Sequence, residues 1–278
     1  MDGRIRVRLD VAYDGTDFSG WAAQPGRRTV AGVLAEALHR IFGPEAVTGL
    51  TVAGRTDAGV HASGQVCHVD LPADAWADRA GTLVRRLSGM LPGDVRVRAA
   101  AAVPDDFDAR FAATYRRYEY RVTDAAYGVE PLRRHEILAW PRPLHLDRLN
   151  AAAAGLVGEH DFAAYCRRKE NATTRREVTR LDWRREADGI LVATVQADAF
   201  CQSMVRSLVG AMLVVGDGRR PADWPAGLLR HRERSSEVTV APAHGLTLVA
   251  VGYPADPAAY AGRAETTRRL RVAPQLPG

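Results

Sequence analysis

Three side chains able to do chemistry crowd one short bend. In Ala53-Gly54-Arg55-Thr56-Asp57-Ala58-Gly59-Val60-His61-Ala62-Ser63-Gly64-Gln65, a guanidinium, a carboxylate and an imidazole lie close together. The three glycines of this stretch let the backbone take tight or left-handed conformations. Apolar, strand-like runs flank it, Leu50-Thr51-Val52 before and Val66-Cys67-His68-Val69 after. A polar loop carried between two strands is where a scaffold presents chemistry. The competing account is a turn in which Asp57 bonds its own backbone ahead of Ala-Gly.

A carboxylate that attacks carbon must be ionised and oriented, and a nearby guanidinium favours both. An aromatic partner would stack a base beside it. Tyr118 and Phe18 are the candidates, with strand packing as the alternative for Tyr118. A metal site is the rival chemistry, because His61, Cys67, His68 and Asp70 are close in sequence. They lack an accepted ligand spacing, and in a strand His68 and Asp70 share a face that we read as solvent-facing. Cys201-Gln202-Ser203 has no histidine nearby in sequence, so Cys201 reads as a small buried apolar residue rather than a nucleophile. No glycine-rich phosphate loop is present. The residues alone lead to Asp-centred chemistry on a nucleic acid and leave the reaction unnamed.

The 278 residues are 46% hydrophobic and 26% charged, an ordinary globular composition. The net charge of +5 suits a polyanionic partner. Lys169 is the only lysine, so the cations are arginines, which fork onto phosphates and stack on bases. Codon bias in a GC-rich genome is the plainer source of that excess. Cys67, Cys166 and Cys201 are widely spaced without any CxxC, which argues against a disulfide framework and fits a reducing compartment. With neither a signal-peptide core nor a membrane-length apolar run, the expected location is the cytoplasm.

Elements must hold that bend in place. Ile5, Val7, Leu9 and Val11 alternate with polar or small residues, which predicts a half-buried strand. Phe18-Ser19-Gly20-Trp21 reads as a loop with two exposed aromatics. Thr29 caps a predicted helix through Val30, Leu34, Leu38 and Ile41, stopped by Gly43-Pro44. A second helix is predicted from Trp76 to Met90, then a strand from Val95. Residues 105–114 form a crossover before a strand over Tyr115 to Val122 that puts Tyr118 and Tyr120 on one face. Pro131 to Pro143 reads as an irregular excursion and Leu146 to Val157 as a helix. Val178 to Glu186 and Ile190 to Ala197 form a hairpin around Asp188-Gly189. Met204 to Val215 is a strongly apolar helix, core by default. A short helix follows near Trp224, and Gly245 to Tyr253 closes as a strand. The expectation is α+β: two similar lobes, 1–104 and 105–254, sharing a mainly antiparallel sheet flanked by helices, with a central RNA-binding cleft. Residues 255–278 read as a loose tail.

The run from Ala53 to Ala62 resembles the active-site motif of the tRNA pseudouridine synthase A family. Further blocks resemble that family in order: Tyr13-Asp14-Gly15 with Gly20-Trp21, Leu91-Pro92-Gly93-Asp94, Phe107-Asp108-Ala109-Arg110-Phe111 with Arg116-Arg117-Tyr118, Ala199-Phe200 with Met204-Val205-Arg206, and Ala241-Pro242-Ala243 with Gly245-Leu246. The resemblance implies conversion of uridine to pseudouridine at tRNA positions 38, 39 and 40, in the anticodon stem-loop, by a homodimer without cofactor or metal. It implies Asp57 as the catalytic aspartate, Arg55 as the residue that displaces the base and holds its phosphate, and Tyr118 as the ring stacked on the uracil. It implies Arg206 as the basic partner of the aspartate and Leu246 as a pocket wall. The chain departs from the family at Ala22, Ala31 and Ser203, where glutamine, glutamine and histidine are common. Leu87-Ser88-Gly89-Met90 lacks a usual asparagine. These departures bear on RNA contacts. Two other classes compete with the isomerase: a non-catalytic tRNA-binding module or RNA chaperone, and a metal hydrolase using Asp57 and His61.

Overall fold

The period-two run near the start of the chain is a strand in the computed structural model, which describes residues 3–167 and 173–271. In chain order the elements are β1 (Arg4–Tyr13), α1 (Val30–Phe42), β2 (Thr48–Val52), β3 (His61–Pro72), α2 (Ala73–Arg79), α3 (Leu83–Met90), β4 (Val95–Val103), β5 (Tyr115–Thr123), β6 (Leu138–Ala139) and α4 (Leu146–Ala154). They continue with β7 (Gly158–Asp161), β8 (Arg175–Arg185), β9 (Leu191–Ala197), α5 (Met204–Gly216), α6 (Trp224–Gly227), β10 (Leu246–Gly252) and α7 (Tyr260–Arg271). This is an α+β protein with mostly antiparallel strands. It divides into two compact units, residues 3–114 with 248–268, and residues 115–247 with 269–271.

In the first unit the strand order is β4-β1-β3-β10, with β2 also on β3. Val7, Leu9, Val11 and Tyr13 point into the core, opposite Val69, Cys67, Gln65 and Ala62 of β3. The register slips between Val11 and Tyr13, which re-aims Tyr13 at the end of the strand. Helix α1 forms as its pattern predicts: the Thr29 side chain accepts from Gly32 N, and Val30, Leu34, Ala37 and Leu38 are buried. The single helix expected over Trp76 to Met90 is instead α2 and α3. Ala80-Gly81-Thr82 separates them, and glycine is a poor helix former.

The crossover is anchored by Phe107, whose ring meets those of Tyr253 at 4.9 Å and Tyr260 at 5.3 Å. The loose tail expected after residue 254 is corrected here. Ala264 and Thr267 are buried on α7, and Arg268 pairs with Asp108 at 2.8 Å. Tyr260, Ala264 and Thr267 recur at helical spacing, so a face hidden by proline- and arginine-rich composition docks the segment. Residues 272–278 lie outside the described residues.

In the second unit β5-β9-β8-β7 follow one another, with β6 parallel to β5. The hairpin of β8 and β9 turns at Asp188-Gly189, where Gly189 has φ +85° and Asp188 Oδ1 accepts from Ile190 N. Helix α5 is buried on nearly every side and forms the core of this unit, with Trp183 Nε1 donating to Met212 Sδ at 3.3 Å. Helix α4 stops earlier than predicted, at Ala154 before Gly155. Cys166 and Cys201, expected to be unpaired, are joined by a disulfide with Cα atoms 5.6 Å apart. An antiparallel bridge between Arg167 and Gln202 aligns the two segments across 35 residues of sequence, a proximity the spacing could not reveal. Among the described residues no helix is long and apolar enough to cross a membrane.

Candidate active site

The bend around Asp57 connects β2 to β3, and the turn after β1 lies against it backbone to backbone. A Cβ on Gly15 would stand 2.1 Å from Val60 O, and one on Gly20, at φ +95°, would stand 2.8 Å from Thr56 O. Only glycine permits that approach. Main-chain bonds then join the two loops: Trp21 N donates to Thr56 O at 3.1 Å and Gly59 N to Phe18 O at 3.3 Å. His61 Nδ1 accepts from Gly15 N at 2.9 Å, with Asp14 Oδ1 3.1 Å away. The imidazole thus braces the turn. Arg55 is exposed and Asp57 half-buried at the apex of the bend.

Beneath the apex lies a buried polar chain that sequence reasoning missed. Gln65 is 0% exposed on the inward face of β3 and therefore needs hydrogen-bond partners. Its Nε2 donates to Gly54 O at 2.9 Å and to Tyr13 Oη at 3.2 Å, and its Oε1 accepts from Val66 N. Tyr13 Oη in turn lies 2.8 Å from Thr56 Oγ1. The signal in the sequence was parity: Gln65 shares the inward side of Cys67 and Val69, where a polar residue is out of place.

The four residues considered for a metal are each used differently. His68 is buried, not solvent-facing as expected; its Nδ1 accepts from Ala109 N at 3.0 Å, and burial, with Arg6 adding to it, pushes its pKa down to about 4. Cys67 is fully buried, which pushes its thiol pKa up. Asp70 pairs with both Arg6 Nε and Nη2, at 2.7 and 2.9 Å. Phe18 and Trp21, expected to be exposed, are buried. The face of Phe18 is covered by the Arg28 guanidinium 4.0 Å from its centroid, which removes it as a base platform.

Tyr118, Arg206 and Leu246 belong to the second unit. Tyr118 and Tyr120 share a face of β5, as alternation predicted. Tyr118 is 7% exposed and meets Phe200 edge-on at 5.3 Å. Arg206 sits in the first turn of α5, where its Nε donates to Ala241 O at 2.7 Å while Ala241 N donates to Arg206 O at 3.0 Å. Helix α5 approaches that segment closely, since a Cβ on Gly210 would stand 1.8 Å from Thr239 O. Tyr120 Oη donates to Pro242 O at 2.8 Å, and Gly245 lies on the Tyr120 ring, where a Cβ would meet Cε1 at 2.6 Å. Burial pushes the Tyr120 phenol pKa up, with Arg206 opposing. Leu246 follows, buried at the start of β10. One segment, 241–246, therefore holds Arg206 and Leu246 and packs on the face of β5 that carries Tyr118.

These loops and contacts are built from the blocks on which the family resemblance rests. A profile of the family described as tRNA pseudouridine synthase matches residues 11–112 and 152–254, which take in Arg55, Asp57, Arg206 and Leu246 but not Tyr118. The chain belongs to the tRNA pseudouridine synthase family. Relatives named tRNA pseudouridine synthase A include one from Frankia casuarinae, 59% identical over 100% of this chain and 99% of its own. One from Streptomyces griseus is 57% identical over 98% and 96%, and one from Mycobacterium leprae 51% identical over 96% of each chain.

Proposed function

We infer that this protein is an isomerase that converts uridine to pseudouridine in tRNA. The observation that carries this is the Asp57 bend, held by glycine contacts and buried bonds within a chain whose family match spans most of its length. In the reaction the N1–C1′ bond breaks, the uracil turns over, C5 joins C1′, and the proton lost from C5 is balanced by one gained at N1. Asp57 acts as the catalytic carboxylate, by attack at C1′ or C6 or by taking the C2′ proton. Arg55, exposed beside it, displaces the base and holds its phosphate. Tyr118 stacks on the extruded uracil, Arg206 balances the carboxylate, and Leu246 walls the pocket. Extrusion costs a few kcal/mol, which an aromatic face and a guanidinium offset.

The substrate proposed is the anticodon stem-loop, at positions 38, 39 and 40, and the protein is proposed to act as a cytoplasmic homodimer. The net charge of +5 supports a polyanionic substrate. The decisive test is Asp57→Asn on tRNA transcripts. The variant should bind tRNA like wild type and form pseudouridine roughly 10³-fold more slowly or worse. Product at the wild-type rate would defeat the assignment of Asp57. A wild-type protein that binds tRNA without modifying it would convert the reading to that of a binding module.

A further inference from the structure

Gln65, Tyr13 and Thr56 form a continuous hydrogen-bonded chain. Both hydrogens of the Gln65 amide nitrogen are donated, one to Gly54 O and one to Tyr13 Oη. The phenol oxygen accepts from Gln65 and is bonded to Thr56 Oγ1 at 2.8 Å, a bond in which either hydroxyl can donate. Burial pushes the Tyr13 pKa up to about 12, so the phenol stays neutral. Thr56 is gripped twice, at its hydroxyl by Tyr13 and at its carbonyl by Trp21 N. Gly54 is gripped at its carbonyl by Gln65. The two held residues flank Arg55, and the second immediately precedes Asp57.

We propose that Gln65, Tyr13 and Thr56 are positioning residues that set where the Asp57 carboxylate and the Arg55 guanidinium stand. They act through the loop backbone, without touching the uridine. The placement matches that role. Tyr13 is 5% and Thr56 7% exposed, the chain lies on the inner side of the bend, and Tyr13 is aimed there by the register slip at the end of β1. A core that only needed filling would be served by apolar residues, since a buried polar chain must have every member satisfied. Displacing a reacting group by about 1 Å is worth up to roughly 100-fold in rate.

This inference rests on the proposed role of Asp57, and the experiment separates the two. Single-turnover pseudouridine formation, tRNA Kd and thermal melting are compared for wild type, Tyr13→Phe, Thr56→Val, Thr56→Ser and the double variant Tyr13→Phe/Thr56→Val. Tyr13→Phe keeps the ring that lies 5.9 Å from Trp21 and removes only the hydroxyl. The expected result is a rate about 10- to 100-fold lower for Tyr13→Phe and for Thr56→Val, with Kd within about twofold of wild type. Thr56→Ser, which retains the hydroxyl, should recover most of the rate. The double variant should be little worse than the poorer single one, because both break the same bond. Wild-type rates in the folded single variants, whatever their melting temperatures, would overturn the proposal. So would a rate loss matched by an equal loss of tRNA affinity, or a failure of Thr56→Ser to rescue. An inactive Asp57→Asn beside fully active Tyr13 and Thr56 variants would overturn this inference alone. Active Asp57→Asn would overturn the reading beneath it.

Discussion

The candidate residues of the two units are held by different means. The Asp57 bend of the first unit is fixed mainly by main chain: Gly15 and Gly20 let one loop lie on another, and buried side chains grip carbonyls at residues 54 and 56. In the second unit side chains are fixed directly, Arg206 on Ala241 O, Tyr120 on Pro242 O and Tyr118 edge-on to Phe200. A group on a loop has no helix or sheet ladder to hold it, so its backbone must be fixed first. A group on a strand or in the first turn of a helix inherits a fixed backbone and needs only its rotamer set. The first set should therefore fail through the chain, and the second through single atoms.

Changes that break this contrast can be ranked. Gly15→Ala should have the largest effect on stability, at least about 2–4 kcal/mol in denaturant unfolding, because backbone rather than a movable side chain stands in the way. An unfolding midpoint equal to wild type would mean that the two loops are not held in backbone contact.

Next comes pH dependence at His68, which pins the crossover through Ala109 N. Its pKa is about 4 folded against 6.5 ordinarily. Between those values the unfolded chain takes a proton that the folded one refuses. Stability therefore rises with pH across that window, is complete above about pH 6.5, and is lost toward pH 4, by about 3 kcal/mol at most. Unfolding free energies of wild type and His68→Gln from pH 4 to 7 should diverge accordingly; parallel curves would show that His68 is not the titrating group.

Arg206→Lys sharpens the other set. It keeps the charge and loses the Nε donor to Ala241 O, so the single-turnover rate should fall about tenfold with a stability cost near 1 kcal/mol. An unchanged rate would mean that charge alone suffices. The smallest effect is a control: Gly89→Ala in α3 meets nothing within 4 Å and should stabilise by roughly 0.5–1 kcal/mol in the same melts.

Within the sequence, the strand from Ile5, helix α1 with its Thr29 cap, the β8–β9 hairpin and the buried helix α5 were all legible, because each is written in local periodicity and turn chemistry. The bend and its order of residues were legible for the same reason, since Arg55, Asp57 and His61 are neighbours in the chain. What local pattern could not carry was partnership at long range. That the Cys166 and Cys201 segments lie side by side, that His68 is buried against Ala109 and that α7 docks near Phe107 all depend on residues far apart in the chain. Gln65 shows the division most clearly. Its inward parity is fixed by the strand period, but the phenol and carbonyl that make a buried amide tolerable arrive only when β1 and the bend fold against β3. Periodicity is a property of consecutive residues, whereas satisfying a buried polar atom depends on whatever the fold brings beside it.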